Sequence, residues 1–193
     1  MVNRSKAKGT TTESLVVGYL RENGWPYAER RALSGNTDKG DVAGMPALAV
    51  EVKYGNGTLK IGPWLKETEA ERRNANADHG ILVIKPPKMG SRNVGLFYAV
   101  MLAADFDLLV AKANGLFVID RQPLPYTAET LAVEIRGGIN NKLAPREVFA
   151  VALKPPGTKD KPEKWYRAMT LHHMTRLLRA AGYGDPERYE QDA

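Results

Sequence analysis

Two stretches of the chain match each other in the order of their sequence features. Residues 83–115, VIKPPKMGSRNVGLFYAVMLAADFDLLVAKANG, align with residues 152–184, ALKPPGTKDKPEKWYRAMTLHHMTRLLRAAGYG. Each contains an apolar strand pattern, Lys-Pro-Pro, a basic loop, an aromatic-Tyr-x-x-Met strand pattern and a Leu-Leu helix pattern. Self-similarity of this kind is typical of one supersecondary unit used twice. The repeat therefore predicts two strand-strand-helix units in one chain.

The segment before the first repeat has the pattern of an α/β fold. Helical apolar and charge patterns and strand patterns follow one another along it. The predicted helices are residues 10–23 and 63–77, and the predicted strands are residues 25–33, 41–45, 47–53 and 80–85. The last of these, a continuous apolar run, is typical of a strand buried on both faces. We therefore expect an αβββαβ core with a mixed central sheet flanked by helices.

The segment between the two repeats has two interpretations. Residues 126–138, YTAETLAVEIRGG, have a capping threonine and a terminal glycine, which favour a helix. Their LAVEIR also echoes LAVEVK at residues 48–53, as a degenerate copy would. Arg136 stands where the first segment has lysine, so we expect no second working centre. We divide the chain into a core, residues 1–115, and a C-terminal extension, residues 116–193, packed on that core.

Composition excludes several classes of site. The chain has no cysteine, which rules out disulfides, thiolate zinc sites and cysteine nucleophiles and fits a reducing cytoplasm. Lys and Arg outnumber Asp and Glu by 28 to 22, for a formal charge of +6, so a polyanion is a suitable partner. No signal peptide and no run of about 18 apolar residues occur, so we expect a soluble protein without a membrane partner. The histidines, His79, His172 and His173, have no ligand spacing, and we interpret them as surface or helix-start residues.

Three charged side chains lie within GDVAGMPALAVEVKYG, residues 40–55. Side chains alternate along a strand, so Glu51 and Lys53 project on the same side. If the two strands of this segment pair through a tight connection at Pro46, Asp41 lies beside Glu51. Two carboxylates about 5 Å apart repel by about 3 kcal/mol at an effective dielectric constant of about 20. A shared proton, the lysine or a bound divalent cation would offset that repulsion.

A divalent cation fits this set of side chains. Magnesium accepts one or two carboxylates and keeps several waters and a phosphate oxygen as its other ligands. It acidifies water and stabilises the transition state of phosphodiester hydrolysis. Lys53 would orient the attacking water or neutralise developing charge. The alternatives are a solvated ion pair at a strand end for Glu51 and Lys53, and a turn residue for Asp41.

Glu13 is a further candidate, with two interpretations. It precedes Val16 and Val17 by about one helical turn, so it faces the apolar stripe that packs on the sheet. A carboxylate on that stripe needs a partner. Thr10 and Glu13 also form the Thr-x-x-Glu pattern of a helix capping box. Their spacing leaves both interpretations open.

Several of these segments resemble a known family. KGTTTESLVVGYLRENGW, GDVAG, VEVK and WLKETEAERRNANADHGILVIK resemble the PD-(D/E)xK nuclease superfamily, and within it the Holliday junction resolvase-like proteins of phages and their actinobacterial hosts. The similarity covers residues 6–102, and WYRAMTLHHMTRLLRAAGYGDP resembles the closing segment of the same proteins. The resemblance implies a restriction-endonuclease-like core and an enzyme of the cytoplasm of a bacterium or a phage-infected host. The role of residues 103–160 is left open, because they depart from the shorter family pattern.

The resemblance also implies roles for individual residues. Asp41 and Glu51 would be metal ligands, joined by Glu13, which matches the family's helix glutamate, and by the backbone carbonyl of Val52. Lys53 would be the catalytic lysine. The carboxylates of Glu13, Asp41 and Glu51 would also be catalytic. The family's proline before the aspartate is replaced here by glycine. The implied cofactor is Mg²⁺, with Mn²⁺ as a substitute, and no small-molecule cofactor is implied.

DNA contact is expected through cations that bind phosphates, which supply affinity rather than sequence reading. The basic residues around the predicted site are Lys6, Lys8, Arg30, Arg31, Lys60 and Lys66. Ser34 matches a serine that lies near the DNA in archaeal resolvases, although a turn serine is the simpler interpretation.

The resulting expectation is a Mg²⁺-dependent, structure-selective endodeoxyribonuclease. Its expected substrate is branched DNA, above all the four-way junction, cut by a homodimer in recombination, repair or phage DNA processing. One alternative is another nuclease of the superfamily that cuts duplexes, flaps or mismatches. A second alternative is a non-catalytic DNA-binding module on the same fold.

Overall fold

The structure contains a mixed sheet of eight strands flanked by helices. The computed structural model describes residues 4–32, 38–55, 59–113, 115–125, 147–155, 158, 161 and 164–185. Its helices are α1 (Arg4–Glu22), α2 (Ile61–Asn74), α3 (Ala103–Lys112) and α4 (Leu171–Ala180), with a 3-10 helix at Ser91–Leu96. Its strands are β1 (Glu29–Arg30), β2 (Val42–Ala43), β3 (Leu48–Tyr54), β4 (His79–Lys85), β5 (Tyr98–Leu102), β6 (Phe117–Pro125), β7 (Glu147–Lys154) and β8 (Tyr166–Thr170). The predicted α/β class with a mixed sheet is confirmed.

The sheet has the strand order β1-β2-β3-β4-β5-β8-β7-β6. Strands β3 and β4 are parallel, as are β6 and β7, and the other neighbouring pairs are antiparallel. The parallel pair β3–β4 is connected through α2, as parallel strands require a crossover. Strand β5, in the predicted core, pairs directly with β8, in the predicted extension, so one sheet runs through both.

Alternation along the strands separates two apolar clusters, one on each face of the sheet. Val50 and Val52 of β3 pack with Val16 of α1 in a cluster that also includes residues of α3 and α4. Leu82 of β4 packs with Leu65 of α2 on the opposite face. The side chains of Ala49, Glu51 and Lys53, which alternate with them, therefore point towards α2, and this places the candidate site.

The pairing of β5 with β8 has two-fold symmetry. Val100 pairs with Ala168, its own counterpart in the repeat, and the pairs on either side of them exchange under a two-fold rotation. The register is Tyr98 with Thr170, Ala99 with Met169, Val100 with Ala168, Met101 with Arg167 and Leu102 with Tyr166. A contact in which both copies of a unit use the same residues, related by a two-fold axis, is called isologous, as in a symmetric dimer.

The symmetry extends beyond the repeat that the sequence indicates. The first half of the molecule, residues 48–112, runs β3, α2, β4, β5, α3, and the second half, residues 117–180, runs β6, residues 126–146, β7, β8, α4. Each half has a parallel strand pair followed by an antiparallel strand and a helix. The strand that corresponds to β3 is therefore β6. The segment 126–138, with its two interpretations, lies outside the described residues.

The start of α1 differs from the prediction. The helix begins at Arg4, and the hydroxyl of Thr11 donates to the carbonyl of Ala7 at 2.8 Å, inside the helix. The capping-box interpretation of Thr10 and Glu13 is therefore wrong, because neither residue lies at a helix start. The Thr-x-x-Glu pattern occurs both at a helix start and inside a helix, so it did not distinguish these two positions. Gly24, at φ +115°, follows the helix end as expected.

Other elements agree with the prediction in type and differ in extent. The predicted strand 25–33 is only β1, and the predicted strand 41–45 is only β2. Strand β4 is buried along most of its length, as its apolar run indicates. His79 is 4% exposed and begins β4, so the interpretation of it as a surface or helix-start residue is wrong. His172 and His173 lie in the first turn of α4, as the helix-start interpretation predicts. Within the described ranges, none of the helices has the length and apolar character needed to cross a bilayer.

Candidate metal centre

Asp41 is held beside β3 by backbone hydrogen bonds. Its N–H donates to the carbonyl of Val50 at 2.9 Å, and its carboxylate accepts from the N–H of Val52 at 2.9 Å. Val42, the next residue, pairs with Val50 and is buried in the cluster on the α1 side. Asp41 is thus fixed against the strand that carries the other predicted site residues.

The glycine before the aspartate has a structural reason. Gly40 has φ +86°, which a proline ring does not permit. A Cβ at this position would lie 2.9 Å from the carbonyl oxygen of Val50. The close approach of residue 40 to β3 therefore requires glycine.

Glu51 and Lys53 lie on the α2 side of β3, next to Asp41. Glu51 is 5% exposed, and its carboxyl group is within hydrogen-bonding reach of that of Asp41. The ammonium group of Lys53 contacts the carboxylate of Glu51 and lies 2.9 Å from Oε2 of Glu67 on α2. The structure therefore brings Asp41, Glu51 and Lys53 together on one side of the sheet.

Burial and like charge act together on the two carboxyl groups. Burial, followed by the charge of Asp41, raises the pKa of Glu51 to about 9. Burial also raises the pKa of Asp41, against the opposing effect of the hydrogen bond from Val52. Without a cation this pair therefore retains a proton near neutral pH, and a bound cation would displace it.

Lys53 remains positively charged. Burial acts to lower the pKa of Lys53, but the hydrogen bonds and charges of Glu51 and Glu67 together outweigh it and raise the pKa above its usual value. A lysine in this state donates hydrogen bonds and neutralises negative charge. It does not serve as a general base at neutral pH.

Two further acidic residues, which the sequence analysis did not identify, lie on α2. A carboxylate oxygen from each of Glu51, Glu67 and Glu71 falls within 4.8 Å of the others. Glu71 is 2% exposed, and no N–H or hydroxyl group in the described part of the chain donates to its oxygens; its hydrogen-bonding neighbour is the carboxyl group of Glu51. Burial, followed by the charge of Asp38, raises the pKa of Glu71 to about 7. The available signal was two glutamates four residues apart on the helix that follows β3.

Glu13 lies on α1, which packs on the opposite face of the sheet from α2. Oε2 of Glu13 accepts hydrogen bonds from Nε and Nη2 of Arg30 at 2.9 and 2.7 Å. Its charge contributes to the raised pKa of Asp41, so it is near the site. Of the predicted carboxylates, Asp41 and Glu51 are in direct contact, whereas Glu13 forms an ion pair with Arg30.

The predicted DNA-contacting cations divide into two groups. Arg30 is bound to Glu13, and Arg31 donates to the carbonyls of Gly40 and Val42, so both are engaged within the protein. The exposed residues Lys8, Lys60 and Lys66 are available for phosphates.

Two predicted DNA contacts lie outside the described residues, and the structure adds one further cation. The side chain of Lys6 and the whole of Ser34 lie outside the described residues. The ammonium groups of Lys8 and Lys85 lie 5.5 and 5.3 Å from the ring centre of Tyr54, next to Lys53 in sequence. Lys85 is a cation that the sequence analysis did not include.

A divalent cation suits these donors. The ligands that Mg²⁺, Mn²⁺ and Ca²⁺ prefer are carboxylate and carbonyl oxygens, and the cluster offers several carboxylates with one ammonium as internal countercharge. The backbone of Val52, the other predicted ligand, lies between Glu51 and Lys53, and its N–H holds Asp41. No protein-family model, curated protein or solved structure gave a significant match to this chain.

Proposed function

We propose that this protein is a metal-dependent endodeoxyribonuclease of the PD-(D/E)xK type, with a restriction-endonuclease-like αβββαβ core from α1 to β4. The observation that carries the proposal is the buried contact of Asp41 with Glu51, with the charged Lys53 beside them. Two acidic groups and a lysine in this arrangement are suited to phosphodiester hydrolysis. The element order α1, β1, β2, β3, α2, β4 supports the proposed core.

Asp41 and Glu51 would hold the cation, for which we propose Mg²⁺, with Mn²⁺ as a substitute. When bound, the cation supplies Lewis-acid chemistry: it lowers the pKa of water and offsets negative charge on the phosphate. The N–H of Val52 orients the Asp41 carboxylate, and the packing of β3 against β4 keeps Glu51 in place. Both carboxylates are therefore pre-positioned before substrate binds.

Lys53 would stabilise the negative charge that develops on the phosphate during attack by water. It is suited to this role because it stays protonated and is only partly exposed, at 22% of its side chain. A fixed positive charge in such a site contributes more than it would in water. Lys8 and Lys85 beside Tyr54 would bind the flanking phosphates.

The resemblance to junction resolvases supports branched DNA, and the four-way junction in particular, as the substrate. A symmetric pair of cuts requires two centres, and each chain has one set of Asp41, Glu51 and Lys53. We therefore propose that two chains act together on one junction. Cleavage of linear duplexes, flaps or mismatches is the alternative within the same chemistry.

The proposal is tested by incubating the purified protein with a synthetic four-way junction and with a linear duplex of the same arms. We expect cleavage of the junction in Mg²⁺ or Mn²⁺ and none in EDTA. Asp41→Asn and Glu51→Gln should each lower the cleavage rate by about 10³-fold or more, since several kcal/mol of transition-state stabilisation depend on the bound cation. Junction binding in a gel-shift assay should stay close to that of the unsubstituted protein.

The matched control is Glu69→Gln, an identical change on α2. Glu69 forms an ion pair with Arg72 at 3.2 Å and is not part of the carboxylate cluster, so cleavage should be unchanged. Metal-dependent cleavage that persists at full rate in Glu51→Gln would disprove the proposed chemistry. Equal cleavage of duplex and junction would instead favour the alternative substrate.

A further inference from the structure

Helix α2 presents two carboxylates to β3 that the proposed chemistry does not use. Glu67 and Glu71 are four residues apart and so lie on the same side of the helix. Together with Glu51 they form the α2 cluster, in which one carboxylate oxygen of each residue lies within 4.8 Å of the others. Asp41 is not part of this cluster.

Glu71 is the unusual member of the α2 cluster. It is 2% exposed, and no N–H or hydroxyl group of the described residues donates to its oxygens; its hydrogen-bonding neighbour is the carboxyl group of Glu51. A buried carboxylate whose nearest partner is another carboxyl group is costly in free energy, and the charge of Lys53 offsets only part of that cost. Its two closest acidic neighbours add like charge to that cost. The position of Glu71 therefore indicates a positively charged ligand.

Lys53 supplies part of the missing positive charge. Its ammonium group contacts Glu51 and lies 2.9 Å from Oε2 of Glu67. One ammonium faces three carboxylates in the α2 cluster. Among the described residues Lys53 forms ion pairs with Glu51 and Glu67, whereas on Glu71 it acts only through its charge, so the internal countercharge offsets the cluster only in part.

The size of the α2 cluster suits a hard divalent cation. Two ligands on opposite sides of Ca²⁺ lie roughly 4.6–5.2 Å apart, and on Mg²⁺ about 4.2 Å. Three oxygens cannot all lie opposite one another, so oxygens up to 4.8 Å apart must move closer together to bind either cation. Side chains on an exposed helix turn, such as that of Glu67 at 47% exposure, can make that adjustment.

We propose that Glu51, Glu67 and Glu71 form a second divalent-cation site, separate from the Asp41–Glu51 position and sharing Glu51 with it. Lys53 competes with the cation for Glu51 and Glu67. Loading of this site releases the Lys53 ammonium from Glu67, so that it can turn to the phosphate. The role of the site in cleavage rests on the proposed nuclease function, whereas cation binding to the α2 cluster does not.

Mn²⁺ binding tests this inference directly. Titration of the full-length protein, followed by the electron paramagnetic resonance of free Mn²⁺, should give two binding sites. Glu71→Gln should weaken one of them on the order of 10- to 100-fold, as loss of groups around a metal does. Asp41→Asn should weaken the other one and leave the α2 cluster able to bind.

Two further variants extend the Mn²⁺ titration. Glu69→Gln, on the same helix but paired with Arg72, should bind Mn²⁺ as the unsubstituted protein does. Lys53→Met should bind Mn²⁺ more tightly, because the competing ammonium is gone. An effect confined to folding would not produce tighter binding, and Glu71→Gln keeps the size of the side chain.

The outcomes separate this inference from the proposed function. Unchanged Mn²⁺ binding in Glu71→Gln, or weaker binding in Lys53→Met, would overturn the second site even if junction cleavage is found. Glu71-dependent Mn²⁺ binding in a protein that cleaves no DNA would support the site and remove the nuclease function. Binding of a single Mn²⁺ that needs both Asp41 and Glu71 would mean one shared centre, contrary to the inference.

Discussion

The two halves of the molecule share an architecture but not their charged residues. In the first half, Glu51 pairs in register with Leu82 and Lys53 with Ile84. The repeat aligns these partners with Val151 and Leu153, which pair with Arg121 and Leu124 in the second half. The positions that correspond to Glu51 and Lys53 are therefore an arginine and a leucine. Strand β6 also has an irregular register between them, whereas β3 is regular.

This difference distinguishes the residues that the fold requires from those that the candidate site requires. The apolar positions of both halves fill the same two clusters, one on each face of the sheet, so they are constrained by packing. Carboxylates and a lysine on a buried strand cost stability. In the first half, Glu51 and Lys53 occupy such a strand beside α2 and Asp41, whereas the corresponding positions of β6 are Arg121 and Leu124. A residue that lowers stability and is not required by the duplicated scaffold is a strong candidate for a functional residue.

The largest expected effect tests whether the halves are equivalent in packing. Ile84 and Leu153 occupy matching positions, are 0% and 1% exposed, and belong to the same apolar cluster. Ile84→Ala and Leu153→Ala should each lower the free energy of unfolding by about 2–5 kcal/mol, because each leaves a cavity. Urea denaturation followed by circular dichroism and tryptophan fluorescence measures this.

Both variants should unfold in a single transition, since one sheet crosses the boundary between the halves. The conservative substitution Ile84→Val should cost about 0.5–1.5 kcal/mol and serves as the graded control. Two separate transitions, or a large loss in only one variant, would contradict the equivalence of the halves.

A smaller effect tests the chemical difference between the halves. Lys53→Met should lower junction cleavage by about 10²–10³-fold, because one fixed positive charge is lost from the site. Leu124→Met, at the matching position of β6, should leave the cleavage rate unchanged. Initial rates at saturating Mg²⁺ measure both. Equal losses in the two variants would mean that the second half contributes to cleavage and that the comparison is mistaken.

Local patterns were sufficient for much of the first half. The apolar run of β4 and the charge order of α2 identified these elements, and Pro46 together with strand alternation brought Asp41 to Glu51. Such signals are contained in a few neighbouring residues, so the sequence alone is enough to read them. The α/β class and the two strand-strand-helix units were predicted for the same reason.

The features that were missed depend on contacts between distant segments. Glu71 has the sequence context of an ordinary helix glutamate. Only the packing of α2 on β3 brings it close to Glu51. Strand β6 corresponds to β3 through its pairing with β7, and no sequence signal indicated this correspondence. The Thr10–Glu13 pattern indicated a helix start because the residues before it carry no comparably clear signal. Tertiary packing overrides local preference in each case.

The effects of pH on stability have opposite signs in the two halves. In the metal-free protein, burial and the charge of Asp41 raise the pKa of Glu51 from 4.5 to about 9. Between these values the unfolded chain releases a proton that the folded protein keeps, so stability falls as the pH rises. In EDTA, Tm should decrease towards pH 9, and Glu51→Gln should reduce that decrease. Glu69→Gln should not, and a Tm profile unaffected by Glu51→Gln would contradict the buried carboxyl pair.

His173 of α4, in the second half, should act in the opposite direction. Burial, followed by the charges of His172 and Arg176, lowers the pKa of His173 from 6.5 to about 4. As the pH falls through this window the unfolded chain takes up a proton and the folded protein does not, so stability is lost towards acid. His173→Gln should therefore reduce the acid-side fall in Tm, with about 2–4 °C expected for each kcal/mol involved. Scanning calorimetry from pH 4 to 7 measures this, and an acid-side fall that stays the same in His173→Gln would mean that other groups cause it. Together with Glu51→Gln, the variant assigns the alkaline loss of stability to the first half and the acid loss to the second.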